Sequence, residues 1–292
     1  MNVERIKNIV LLCLFCSFIV LGGLVLTSDD RHYAQVSQVN AAISLLNANG
    51  ILVYANIEQD FSDRPNLEIN PSEYDLDAIA ERFFVGEPYS YEATQTHKVF
   101  ESDSGSRRFI FSILDNSFIF EIPGGAMGNM PPNQQMNAYL AHNLARSYFA
   151  ELLGIPDSFN FHSNSLSFRG DYLLTYFGDY RGYRLYNNQL RIRVTDFGIE
   201  NIFYSYARVE GLSSQEFPIF SPDETLLALL NHFRQNGILD NNIILAEMQL
   251  MHFIVDGVAV PSYVFTLFIN EIQFNFIFNA NTNRFLHYEA IR

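Results

Sequence analysis

The chain has no tryptophan and only 2 cysteines in 292 residues. Both thiols, Cys13 and Cys16, lie in one apolar run, so everything from Thr27 onward is free of them. That excludes a disulfide scaffold and a cysteine metal cage from the bulk of the protein, and it suits a domain that never relies on disulfides in an oxidising exterior. Positive charge is scarce as well: 18 Lys+Arg face 32 Asp+Glu, a formal net charge of −14. Such a balance repels a phosphate polyanion, so no nucleic-acid partner is expected. What is present is apolar and aromatic. At 48% hydrophobic and 17% charged residues the chain is too apolar to be disordered, and its 27 Phe and 16 Tyr suit strand-rich packing surfaces. At roughly 150 residues per domain the length allows about two compact domains.

Motifs for bond-breaking chemistry are missing too. The 7 histidines form no H-E-x-x-H or H-x-H pair, so no metal site is expected. No G-x-S-x-G elbow occurs, and no Cys lies near a His outside the apolar run. The glycine-rich stretch Pro123–Pro132 lacks the Gly-Lys-Ser/Thr of a phosphate loop and reads as a connection. Asp171, Asp179, Asp196 and Glu200 are candidates for a carboxylate pair of the kind that hydrolyses glycosidic bonds, which requires a separation of ~5–10 Å. Against that stands their reading as solvated turn residues. The expectation is therefore no catalytic residue, no cofactor-binding residue and no metal ligand, with a cell-envelope hydrolase kept as the enzymatic alternative.

Residues 9–26, IVLLCLFCSFIVLGGLVL, carry no charge. As a helix rising ~1.5 Å per residue they extend about 27 Å, against ~30 Å of bilayer hydrocarbon. Arg5 and Lys7 precede the run and Asp29 and Asp30 follow it, so the positive-inside bias puts residues 1–8 in the cytoplasm and the rest outside. A cleaved signal is the competing reading. Its apolar region is usually ~7–15 residues and ends at a small-x-small site, which Val25, Leu26, Thr27 and Ser28 do not supply. The expectation is a single-pass cell-membrane protein with its bilayer contact through 9–26. Within that helix Cys13, Cys16, Ser17, Val20 and Gly23 recur at helical spacing and are of small or modest size, a candidate contact for another membrane helix.

Beyond the run, α+β architecture is expected: a first extracytoplasmic region over 27–130 and helix-plus-meander units over 131–292. Val36, Val39, Ile43 and Leu46 make one stripe of a helix that Gly50 ends. Ile51–Ile57 reads as a short strand and Glu58–Pro71 as a loop. A helix over Tyr74–Val85 precedes two strands, RRFIFSIL and SFIFEI, turning at Asp115-Asn116. A helix near Asn133–Leu153, with Tyr139, Leu144, Phe149 and Leu152 on one side, leads into short strands broken at Asn187-Asn188 among other points. Ser221-Pro222-Asp223-Glu224 is a capping box opening a helix with a Leu226, Leu229, Leu230, Phe233 stripe. Strands follow to Ile291. This repeated order suggests a duplicated helix-plus-meander module.

Tyr172, Tyr176, Tyr180, Tyr183, Tyr186, Tyr204 and Tyr206 crowd one meander, as packing residues or as a surface for protein or glycan. Arg191 and Arg193 alternate with Leu190, Ile192 and Val194, so both face one side of a strand, a candidate contact for an acidic partner.

The short basic start from Glu4 to Ile9 running into the apolar span, the helix leading to Leu46 and Gly50, and the closing helix-plus-meander units together resemble the YycI family, and more loosely YycH. The resemblance extends over the whole length in layout. It implies a non-enzymatic, membrane-anchored extracytoplasmic regulator of the WalK sensor histidine kinase, acting by protein–protein contact, with a YycH-type regulator as a further partner. It carries no site residue across. A binding module for wall glycan or peptide is the remaining alternative.

Overall fold

A computed structural model describes residues 34–71, 73–126, 136–152, 159–166, 170–239 and 242–291. The expected span at 9–26 lies outside them, and with it Cys13, Cys16, Ser17, Val20 and Gly23. Among the described residues no helix is long and apolar enough to cross a membrane. The fold is α+β and mostly sheet. Two compact units interleave along the chain: one takes residues up to Pro65 together with Gln215–Leu250 and Pro261–Arg292, the other Asn66–Ser214 and Met251–Val260. The units are discontinuous because strands distant in sequence pair within each.

The first unit contains α1 (Val36–Ala48), β1 (Ile51–Val53), α4 (Pro222–Gln235), the greater part of β12 (Ile243–Val255) and β13 (Val258–Ile269), then β14 (Ile272–Asn279) and β15 (Arg284–Ile291). Its strands run in the order β1-β12-β13-β14-β15. β1 joins in parallel, Ile51 opposite Ile243. The α4 stripe is buried as its spacing predicts: Leu226, Leu229, Leu230 and Phe233 pack with Leu46, Leu245 and Phe276. Its start is tied by Glu224, whose Oε2 accepts the Ser221 N–H at 3.1 Å and the Ser221 hydroxyl at 2.9 Å. In α1 the stripe is shifted from expectation. Val39, Ala42 and Leu46 are buried while Val36 is 56% exposed, because the helix begins at Val36 itself.

The second unit is built on β3 (Tyr89–Ala93), β4 (His97–Ser102), β5 (Arg108–Ser112), β6 (Ser117–Ala126), β7 (Phe159–Leu166), β8 (Tyr172–Tyr180), β9 (Tyr183–Thr195) and β10 (Gly198–Ser205). They form antiparallel neighbours in the order β3-β4-β5-β6-β10-β9-β8-β7. Helices α2 (Leu76–Phe84) and α3 (Ala138–Leu152) bury one side each in a common aromatic core with Phe100, Phe109, Phe118 and Phe120. Asp75 caps α2 by accepting the Ala78 N–H at 3.0 Å. The α3 stripe differs from expectation at Tyr139, which is 74% exposed, while Ala141 and Ala145 are buried and let the helix lie close to its core.

The expected loop over Glu58–Pro71 is half strand: β2 covers Arg64–Pro71. Leu67 is fully buried, opposite Ala259 of β13, and the Asn66 N–H donates to Ser213 Oγ at 3.1 Å on β11 (Ala207–Phe217). The polar side chains of this stretch hide a Leu67, Ile69 alternation. The expected break at Asn187-Asn188 is absent, and β9 runs through it. Asn188 is buried and exchanges bonds with Ala207, accepting its N–H at 2.7 Å and donating to its carbonyl at 2.9 Å. Asn187 accepts the Ile254 N–H at 2.7 Å. Both amides replace ladder partners, which satisfies buried backbone groups and removes the need for a turn. Gly178 makes room for this arrangement: a Cβ there would meet the Asn188 Cβ at 2.7 Å.

Candidate functional site

The helices of the second unit pack against one face of its sheet. The opposite face carries the arginine pair. Leu190, Ile192 and Val194 of β9 are buried on the helix side, and Arg191 and Arg193 alternate to the other side, partly exposed, as the period-two pattern predicts. Pairing registers place Arg191 opposite Phe203 of β10 and Thr175 of β8. Phe203 is opposite Ile119, Ile119 opposite Ile110, and Ile110 opposite Val99. One row across the face is therefore apolar for four strands and ends in a cation.

The Arg191 guanidinium carbon sits 4.4 Å from the centre of the Phe203 ring. That is within cation–π range, so the ring supports the charge and its aliphatic stem covers apolar surface. In the neighbouring row Arg193 is opposite Asn201, Asn201 opposite Glu121, and Glu121 opposite Arg108, whose Nη1 is 3.5 Å from its carboxylate. The arrangement offers an apolar row with mixed charge beside it. Such a surface suits contact with another macromolecule more than enclosure of a small one.

The tyrosines divide. Tyr176, Tyr186 and Tyr204 are buried and belong to packing, while Tyr172, Tyr180, Tyr183 and Tyr206 are half-buried. Burial pushes the Tyr176 phenol up to about 12, partly offset by the positive charge of Arg146. Its hydroxyl lies 3.0 Å from His142 Nδ1. Burial likewise raises the Tyr204 phenol, with Tyr74 and Tyr206 adding to the effect.

The four candidate carboxylates are spread over the β8–β9–β10 meander. Asp179 accepts the Gly182 N–H at 2.9 Å in the β8–β9 turn. Asp171 precedes β8 at the other end, Asp196 lies in the β9–β10 turn, and Glu200 sits at the register irregularity between Ile199 and Asn201. Asp179 is thereby separated from Asp171 and Asp196 by the length of the strands. Among the described residues no three of His, Cys, Asp and Glu come together as a metal site.

An open hollow of about 350 Å³ is lined by Glu81, Phe84, Gly86, Glu87, Pro88 and Tyr89. Sequence reasoning passed over it, because nothing in α2 or β3 marks a recess where helix end and strand start meet. The one local signal is the run Val85-Gly86, and both residues adopt positive φ, +51° and +79°.

No family model matches the sequence, and no curated protein matches it. Several solved structures are similar in fold. An uncharacterized protein from Eubacterium rectale is 12% identical with a TM-score of 0.49, over 80% of this chain and 89% of that one. YycH from Bacillus subtilis is 10% identical with a TM-score of 0.42, over 77% of this chain and 55% of its own. The Bacillus megaterium YpeB C-terminal domain is 14% identical with a TM-score of 0.35, over 76% of this chain and all of that domain. No residue role is carried from any of them.

Proposed function

We propose that this protein is a membrane-anchored extracytoplasmic regulator that modulates a sensor histidine kinase by protein–protein contact. The reading is carried by one observation: an uncharged run of bilayer length at 9–26 precedes an acidic α+β region of helix-plus-meander units. The resemblance to the YycI family supplies the kind of partner. Residues 9–26 would pack beside the kinase's spans, with Cys13, Cys16, Ser17, Val20 and Gly23 as the close-approach stripe. The helix-free face holding Arg191 and Arg193 would meet the kinase's outer region. A regulator of this type biases its kinase only through different affinity for the two signalling states.

Crosslinking of the full-length protein in membranes, followed by identification of the captured proteins, tests the reading. Capture of a histidine kinase is expected, and its loss on deleting residues 1–26. Signalling that is unchanged by that deletion would remove the anchor from the mechanism, and turnover of wall glycan by the purified protein would replace contact with catalysis.

A further inference from the structure

Among the described residues β3 pairs with β4 alone, at one end of the second unit's sheet. Two hydrogen bonds determine which residues of β3 face outward: the Asp103 N–H donates to the Pro88 carbonyl at 3.1 Å, and the Thr94 N–H to the His97 carbonyl at 2.8 Å. Hydrogen-bonded positions alternate in an antiparallel pair, so Pro88, Ser90, Glu92 and Thr94 direct their backbone to β4. Tyr89, Tyr91 and Ala93 direct theirs away from it. Those groups form a template for an added strand.

The hollow at Glu81 opens at the head of this edge. Tyr89 is common to both, its ring stacked on Phe84 at 4.6 Å, and Tyr91 beside it is 53% exposed. The charge there is negative. Glu87 is held by Arg107, 3.8 Å away, and by the Ser106 hydroxyl at 3.0 Å, whereas Glu81 has no ion pair among the described residues.

We propose that β3 is a strand-addition edge that takes an extended segment of a partner protein, one of whose lysine or arginine side chains enters the hollow at Glu81. Backbone bonds to Tyr89, Tyr91 and Ala93 supply affinity without sequence preference, and the acidic hollow selects the register. This deepens the contact reading above and rests on it.

The test is amide hydrogen exchange of the full-length protein with the peptide acetyl-Val-Lys-Val-Lys-Val-amide and with its counterpart carrying Glu for Lys. The lysine peptide slows exchange over residues 88–94 and the glutamate peptide does not. Tyr91→Pro deletes an outward N–H without touching the β3–β4 ladder, so it abolishes the protection while exchange in β4 and β5 stays as it was. Glu81→Lys weakens the lysine peptide about fivefold, the worth of one exposed charge pair. Equal protection by both peptides, protection elsewhere, or undiminished binding to Tyr91→Pro overturns the proposal. Protection of 88–94 that grows with protein concentration and needs no peptide would assign the edge to a second copy and also overturn it. Kinase capture in membranes uses no peptide, so a captured kinase with an indifferent β3 would sink the edge and leave the regulator standing.

Discussion

In the first unit the helices bring leucines to the core, with Leu226, Leu229 and Leu230 from α4 and Leu46 from α1, and the sheet answers with Phe265, Phe276 and Phe278. In the second unit both sides bring rings. Phe83 and Phe84 of α2 and Phe149 of α3 meet Phe109, Phe118 and Phe120 of the sheet, and Phe109 stacks on Phe100 at 5.1 Å and on Phe120 at 4.8 Å. On the helix side the first core is mainly aliphatic, with Phe233 of α4 the exception, whereas in the second a ring array runs through both sides. Aromatic pairs add about 0.5–1.5 kcal/mol beyond area burial, so the ring-filled core loses more when one member is removed.

Phe120→Ala is expected to destabilise the protein by about 4 kcal/mol and Leu229→Ala by about 3 kcal/mol, and urea unfolding of the two variants measures the gap. Equal losses would mean that the ring contacts add nothing, since Phe→Ala removes more buried volume than Leu→Ala. Gly178→Ala forces a methyl against Asn188 and is expected to cost ~1–3 kcal/mol by the same measurement, with no counterpart among the described residues of the first unit. Glu224→Ala removes the carboxylate from the α4 start and should cost about 1 kcal/mol, in the leucine-filled unit alone.

The smallest effect concerns acid. His232 of α4 stacks on Phe285 at 4.2 Å, and burial lowers its imidazole pKa below the ordinary value. The unfolded chain therefore binds this proton more readily, so the contribution is complete above the ordinary imidazole range and is lost as pH falls through that range toward the lowered folded value. Thermal melts of His232→Phe against pH should show a flatter slope across that window, and a parallel slope would move the dependence to another group.

The contrast also shows where the sequence was legible. The α4 start was readable because Ser221, Pro222 and Glu224 are each specific to that position, and the leucine stripe because helical spacing leaves little else. The turn at Asp115-Asn116 was readable because an amide residue tolerates the positive φ, +56°, that Asn116 adopts. β2 was hidden, since its strand state depends on Ser213 and Ala259, far away in sequence. Asn187-Asn188 misled because an asparagine pair that usually turns the chain here donates and accepts for distant backbone. For the candidate site, the common facing of Arg191 and Arg193 followed from alternation alone. The Val99, Ile110, Ile119, Phe203 row did not, because it exists only through strand register.

The parallel pairing of β1 with β12 has a consequence for biosynthesis. Ile51 is made early and its partner Ile243 late, so the leucine-filled unit stays incomplete through most of translation while the ring-filled one, largely contained within Asn66–Ser214, has its strands in hand. Pairings of such long sequence separation close slowly. The segment holding Ile51 must therefore wait with its apolar side uncovered until the strand holding Ile243 has been made.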